Sequence, residues 1–275
     1  METPQVPTSP FAIREPVRRL THSRPRITPS HSPDRSIDLS LVIPVHNEQD
    51  NIRPLLEEIV RALDGRLNYE IIYAEDGSTD ETPTRLQDSR QEFPHLRILR
   101  FARRCGQSTA IRAGVAAARA RWIATLDGDG QNNPADLLRL LEHRHKAANR
   151  RLALITGWRA KRHDTWIRRV SSRIANGVRA RVLGDQTLDT GCGLKLFLRD
   201  VFLGLPYFDH MHRFLPALVQ RAGWEVVAIE VTHRHRKHGR SKYGVNDRLW
   251  VGIVDLLGVA WLKRRAKVPR IVEIR

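Results

Sequence analysis

Residues 122–138 read WIATLDGDGQNNPADLL: a mostly apolar run, a turn holding two aspartates two residues apart, and Pro134 ahead of a helical apolar pattern. If the run is a strand, residues i and i+2 share a face, so Asp127 and Asp129 converge at its exit. Pro134 suits a first helical turn, where its missing N–H costs nothing. The stretch therefore reads as strand, polar turn and helix, and the same grammar recurs on either side of it. LSLVIPV (39–45), YEIIYAE (69–75), LRILRFA (96–102), RWIATLD (121–127) and LALITG (152–157) have the pattern of strands. NIRPLLEEIVRAL (51–63), QSTAIRAGVAAARA (107–120) and PADLLRLLEHRHKAA (134–148) have the pattern of helices. Alternation at this pitch predicts an α/β fold with a mainly parallel sheet flanked by helices.

In such a sheet the ligand crevice lies beyond the carboxyl ends of the strands. Polar clusters fall there: PVHNE after the first strand, EDGSTDET after the second, DGDGQNN after the fourth and GWRAKR after the fifth. Asp127 and Asp129 repel one another unless a cation lies between them. Mg²⁺ or Mn²⁺ fits, because a hard divalent ion takes a few carboxylates and fills its remaining positions with water and phosphate. Gly128 and Gly130 let the backbone approach closely, and Gln131 can add an amide oxygen. In EDGSTDET, Gly77 allows a positive φ, and Ser78 with Glu81 has capping-box spacing. A carboxylate at that exit can instead accept hydrogen bonds from a base N–H or a ribose hydroxyl. There is no GxGxxG or Walker-type glycine loop, so phosphates are not cradled in those ways.

The chain has 275 residues, enough for one large domain or two small ones, and 41% of them are hydrophobic, enough for a sizeable core. Its 47 Lys and Arg against 30 Asp and Glu give +17, a charge that attracts phosphates of nucleotides, lipids or nucleic acids alike. A nucleic-acid binder would account for the charge but not for ordered acidic motifs at strand exits, so no nucleic-acid partner is expected. Cys105 and Cys192 lie far apart without CxxC spacing and read as ordinary small buried residues in a reducing compartment. Residues 1–38 hold seven of the 15 prolines and read as a disordered basic tail. No secretory h-region is evident, and LWVGIVDLLGVAWL (249–262) is too short to span a bilayer and contains Asp255.

SLVIPVHNE, EDGSTDET, TLDGDGQNNP and RKHGRSKYG, in that order, resemble the motifs of family 2 glycosyltransferases with the GT-A fold. The last of them resembles the dolichol-phosphate mannosyltransferase-like branch, which glycosylates polyprenyl phosphates. The resemblance runs from about Leu39 to Arg265. It implies that Pro44, Asn47 and Glu48 lie beside the nucleotide, that Glu75 and Asp76 contact the donor, and that Asp127, Asp129 and Gln131 form the metal site. Glu75 departs from the aspartate usual in the family. Arg159, Arg168, Ser172, Arg236, Ser241 and Lys242 match positions used for the donor diphosphate and the acceptor phosphate, roles that suit planar Arg and mobile Lys donors. Asp189, in LDTGCGLKLF (188–197), falls in the acceptor-side segment. A prenyl phosphate is already an anion near neutral pH, so Asp189 is expected to orient Arg or Lys side chains, with general base as the lesser role.

RLWVGIVDLLGVAWLKRR (248–265) joins an apolar segment with two tryptophans to a basic cluster, as an interfacial helix does. These readings predict a tail over 1–38, a GT-A domain over 39–232, and a basic acceptor loop with a membrane-facing helix over 233–275. The expected activity is inverting transfer from a nucleotide sugar, GDP-mannose first and UDP-hexose second, to a polyprenyl phosphate. The expected location is the cytoplasmic face of the membrane, as a peripheral protein held by anionic lipid. Transfer to a saccharide hydroxyl is the alternative, and it would need Asp189 as base.

Overall fold

The computed structural model describes residues 34, 36–147, 149–159, 177, 179–184, 189–232, 234 and 245–266. Most of the expected tail lies outside them, as do Arg168, Ser172, Arg236, Ser241 and Lys242.

Seven strands form one sheet: β1 (Leu39–Val45), β2 (Tyr69–Glu75), β3 (Leu96–Arg100), β4 (Trp122–Thr125), β5 (Leu152–Trp158), β6 (Lys195–Leu198) and β7 (Glu225–Glu230). Their order is β3-β2-β1-β4-β6-β5-β7, and every neighbouring pair is parallel except those made by β6. The helices are α1 (Ile52–Leu63), α2 (Thr82–Glu92), α3 (Gln107–Ala117), α4 (Asp136–Lys146), α5 (Arg199–Gly204), α6 (Leu215–Arg221) and α7 (Val245–Arg265). The sheet is mainly parallel, as expected, with β6 the reversed exception.

β1 and β2 are near-continuous apolar runs because both of their faces are covered, the usual state of central parallel strands. α1 buries Ile52, Leu55, Leu56, Ile59 and Leu63, the i, i+3, i+4, i+7 stripe of an amphipathic helix. α3 packs on β1 and β2 through small residues; a Cβ at Gly114 would collide with Val42 of β1. β6 and β7 are not legible as strands in the sequence. β6 has four residues, one of them a lysine, and β7 is a half-exposed edge strand.

The amino end of the sheet, remote from the strand exits, is held by Glu70. Its buried carboxylate accepts hydrogen bonds from Ser40 Oγ (2.6 Å), from the Arg119 backbone N–H (2.6 Å) and from Arg97. Ser40 Oγ in turn accepts the Ala120 N–H at 3.0 Å, joining β1, β2, β3 and the lead-in to β4. Glu70→Ala removes one partner of a mostly buried ion pair and leaves several donors unmet. It is expected to lower unfolding free energy by about 3 kcal/mol, read from urea denaturation, while transfer activity at low temperature is kept.

The capping box that the Ser78–Glu81 spacing allows is not formed. α2 starts at Thr82, so Ser78 is not its cap; the Ser78 N–H bonds to Glu75 and its hydroxyl accepts the Asn47 N–H at 2.9 Å. The turn is used to join two loops rather than to begin a helix.

α7 is tied to the domain by Arg221 Nε, which donates to the Leu262 carbonyl at 2.8 Å, and by Lys263, which donates to the Leu183 carbonyl. Val259 is buried, and Leu256, Ala260 and Leu262 pack against the core. Val254, Leu257 and Trp261 face outward, each more than 60% exposed. Among the described residues no helix is long and apolar enough to cross a membrane.

Candidate active site

A cleft of about 650 Å³ opens at the carboxyl ends of β1, β2 and β4, where the sequence placed its polar clusters. The loops after β1 and β2 are stitched together above it. Asn47, in the left-handed region at φ 54°, accepts the Thr79 N–H at 2.8 Å, and the Glu48 N–H donates to Thr82 Oγ1 at 2.8 Å. His46 Nδ1 lies 2.9 Å from the Asp76 carbonyl, so that nitrogen carries the proton. Pro44, His46 and Glu48 line the cleft.

Asp76 and Glu75 point to opposite sides, as consecutive residues at a strand end do. Asp76 lines the cleft and its two oxygens accept the Cys105 N–H (2.6 Å) and the Gly106 N–H (2.8 Å), pinning the start of α3. Gly77 makes this possible: at φ 62°, a Cβ there would lie 2.5 Å from the Arg104 nitrogen. Glu75 is fully buried beside a separate depression between α2 and β3, where its carboxylate accepts the Ser78 N–H and lies 3.6 Å from Arg100 Nε. Cys192 is buried as expected, whereas Cys105 is exposed, because its backbone is committed to Asp76 at the cleft rim.

Asp127 and Asp129 converge on the cleft floor. Gln107 Nε2 donates to Asp127 Oδ1 at 3.2 Å, and the Gln131 N–H donates to Asp129 Oδ1 at 3.1 Å. Burial, and then the Asp129 charge, push the Asp127 carboxyl up to about 6, against the pull of Lys195 and Arg159. A divalent cation relieves that repulsion, so the two carboxylates fit Mg²⁺ or Mn²⁺. Among the described residues no cluster of three or more His, Cys, Asp or Glu could hold a metal. An ion held by the aspartate pair would have positions left for water and a diphosphate. Gln131 sits outside the cleft lining, its side-chain amide 3.5 Å from the Arg234 carbonyl and its own carbonyl accepting the Arg234 N–H at 3.1 Å.

A raised carboxyl binds its proton more tightly in the folded state than in the unfolded chain. The contribution of Asp127 to the stability of the metal-free protein is therefore expected to fall as pH rises from 3.8 to about 6. Added Mn²⁺ should raise the thermal midpoint more at pH 7.5 than at pH 5, where it competes with the proton; differential scanning fluorimetry at both pH values reads this.

Facing the acids is a cationic group. Arg159 closes on Asp189 in a bidentate pair, Nε to Oδ2 at 2.6 Å and Nη2 to Oδ1 at 2.9 Å. Lys195 is fully buried and donates to the Cys192 carbonyl. Its register across the sheet, opposite Thr125 of β4 and Thr156 of β5, sets it near both Asp127 and Asp189. Burial lowers its pKa, and the neighbouring acids oppose that. Sequence reading passed over Lys195, although a lysine inside the apolar run GLKLFL is a signal, since buried lysines are rare unless paired. His212, whose Nδ1 lies 2.8 Å from Ser108 Oγ, also escaped it; burial, then Lys195 and Arg213, hold its pKa well below the usual histidine value.

A family model described as glycosyl transferase family 2 matches residues 40–204. The chain is 37% identical over 248 residues to the dodecaprenyl-phosphate galacturonate synthase of Rhizobium johnstonii, an alignment covering 87% of this chain and 71% of the relative. It is 35% identical over 210 residues to the undecaprenyl-phosphate 4-deoxy-4-formamido-L-arabinose transferase of Edwardsiella ictaluri, covering 75% of this chain and 63% of that relative. The chain thus spans less than two thirds of the length of the arabinose transferase. Among solved structures it resembles glucosyl-3-phosphoglycerate synthase from Mycobacterium tuberculosis in complex with Mn²⁺, uridine diphosphate and glucosyl-3-phosphoglycerate. That likeness has TM-score 0.62 at 20% identity, over 85% of this chain and 81% of that one, and is a likeness of fold.

Proposed function

The chain belongs to glycosyl transferase family 2, and from that premise we propose that it transfers a sugar from a nucleoside diphosphate to a polyprenyl phosphate with inversion. The observation that carries this reading is the closed Arg159–Asp189 pair. Both oxygens of Asp189 are bound by a guanidinium, so Asp189 is poorly placed to take a proton from an alcohol. An acceptor that arrives already ionised needs no base, and a prenyl phosphate is such an acceptor. Asp189 then acts by holding Arg159 toward the cleft.

In this reading an acceptor phosphate oxygen attacks the anomeric carbon, the bond to the donor diphosphate breaks, and the nucleoside diphosphate leaves with the electron pair. Asp127 and Asp129 would hold a Mg²⁺ or Mn²⁺ ion, which would supply charge neutralisation for the leaving diphosphate. Gln107 fixes the Asp127 rotamer. Lys195 and Arg159 balance the acids from the other wall. Pro44, Asn47, Glu48 and Asp76 form the nucleotide side. The names of the two relatives carry galacturonate and a formamido-arabinose rather than mannose, which favours a UDP-sugar over GDP-mannose as donor. The domain over 39–232 does the chemistry, and the outward apolar face of α7 with its basic last turn favours peripheral attachment to the cytoplasmic face of a membrane.

The test is a transfer assay with Mn²⁺, undecaprenyl phosphate and a panel of UDP- and GDP-sugars. A chloroform-soluble labelled product, lost with EDTA, is expected from a UDP-sugar. Label appearing only in a water-soluble saccharide would overturn the lipid acceptor.

A further inference from the structure

Most basic side chains in the cleft are already engaged. Lys195 is bonded to the Cys192 carbonyl, His212 to Ser108, and His210 Nδ1 lies 3.3 Å from Asp255 Oδ2. Arg213 lines the same cleft and is half-buried; its guanidinium makes no hydrogen bond or close ion pair among the described residues and acts on the Asp255 carboxylate only through its charge. A partly desolvated guanidinium with open donors is a site for an oxyanion.

Its place in the chain narrows the choice. Arg213 ends the short helical turn Met211–Arg213, which follows His210 at φ 62°. His212 is influenced by both Lys195 and Arg213, Lys195 by Asp127, and Asp255 of α7 by His210 and Arg213, so a chain of neighbouring charges links the aspartates of the cleft to α7 through Arg213. His210 pairs with Asp255, which belongs to α7, and the same helix leaves Val254, Leu257 and Trp261 exposed. Neighbouring groups therefore connect the acids of the cleft, through the Arg213 guanidinium, to a helix with an exposed apolar face. That sequence of polarities matches an amphiphile with an anionic head and a long apolar chain.

Resting on the reading of the site as a prenyl-phosphate transferase, we propose that Arg213 binds the acceptor phosphate and that the prenyl chain leaves across the His210–Asp255 contact along the outward face of α7.

Arg213→Ala, Arg213→Gln and Arg213→Lys would be compared with the wild type in the full chain. Acceptor KM would be measured with undecaprenyl phosphate and with a short-chain prenyl phosphate, and donor Kd by titration calorimetry with Mn²⁺. Alanine and glutamine should each raise acceptor KM at least tenfold for both chain lengths, with donor Kd within twofold and part of the loss recovered by lysine. Glutamine keeps most of the bulk, and unchanged donor binding shows that the variants are folded. Unchanged acceptor KM would overturn the proposal. So would a loss confined to the long chain, or weakened donor binding, which would give Arg213 to the diphosphate or to a carboxylate on the sugar. If the wild type labels no prenyl phosphate at all, the reading of the site fails first, an outcome distinct from these.

Discussion

Asp129→Ala is expected to remain folded and to lose transfer activity by at least about a thousandfold, roughly 4 kcal/mol of transition-state stabilisation. The size follows from the donor set. If Asp127 and Asp129 hold the ion as proposed, removing one of them halves the charge that the pair presents to it. Mn²⁺ binding read by electron paramagnetic resonance should weaken in step, with circular dichroism unchanged. Asp127→Asn should be equally inactive but more stable than the wild type without metal, because it removes the burial and repulsion that raise the Asp127 carboxyl to about 6. A variant that retained wild-type transfer at saturating Mn²⁺ would remove the aspartate pair from the mechanism.

Gly193→Ala should be nearly as damaging, although glycine has no side chain to lose. A Cβ at 193 would fall well inside contact distance of the Asp127 carboxylate. The backbone cannot retreat readily, since Thr125 Oγ1 donates to the Gly193 carbonyl at 2.7 Å and the Gly157 N–H donates to the next carbonyl, of Leu194, at 2.9 Å. Asp127 must therefore swing away from Gln107. The expected result is at least a hundredfold fall in kcat with a stability loss of about 1–3 kcal/mol, the usual cost of overpacking. Gly204→Ala, where a Cβ meets nothing within 4 Å, is the control and should alter neither quantity appreciably.

Four of the five strands legible in the sequence have apolar runs that end in a polar cluster, and the two that were not legible lack a clear apolar run. β6 is short and carries Lys195, while β7 alternates too weakly to be told from loop. The acids were legible because adjacent strand exits must converge in a parallel sheet, and Asp76, Asp127 and Asp129 do so. Which way each side chain faces was less legible. Glu75 and Asp76 stand side by side in the chain yet only Asp76 reaches the cleft, and Gln131 is drawn toward Arg234. The cationic wall depends on pairing across β6, a long-range contact with no local signature. Arg168, Ser172, Arg236, Ser241 and Lys242 fall outside the described residues and remain expectations of the resemblance.

The reversed direction of β6 has a consequence for how the chain can be divided. Residues leaving the sheet after β4 and β5 supply Asp127, Asp129 and Arg159, whereas residues entering it before and at the start of β6 supply Asp189 and Lys195. Outgoing and incoming chain meet at the same end of the sheet. A cut between 159 and 189 would leave Asp127, Asp129 and Arg159 in one fragment and Asp189 and Lys195 in the other. The Arg159–Asp189 pair and the approach of Lys195 to Asp127 would then form only when the two fragments dock as a sheet, which makes this junction a natural position for a split reporter of that docking.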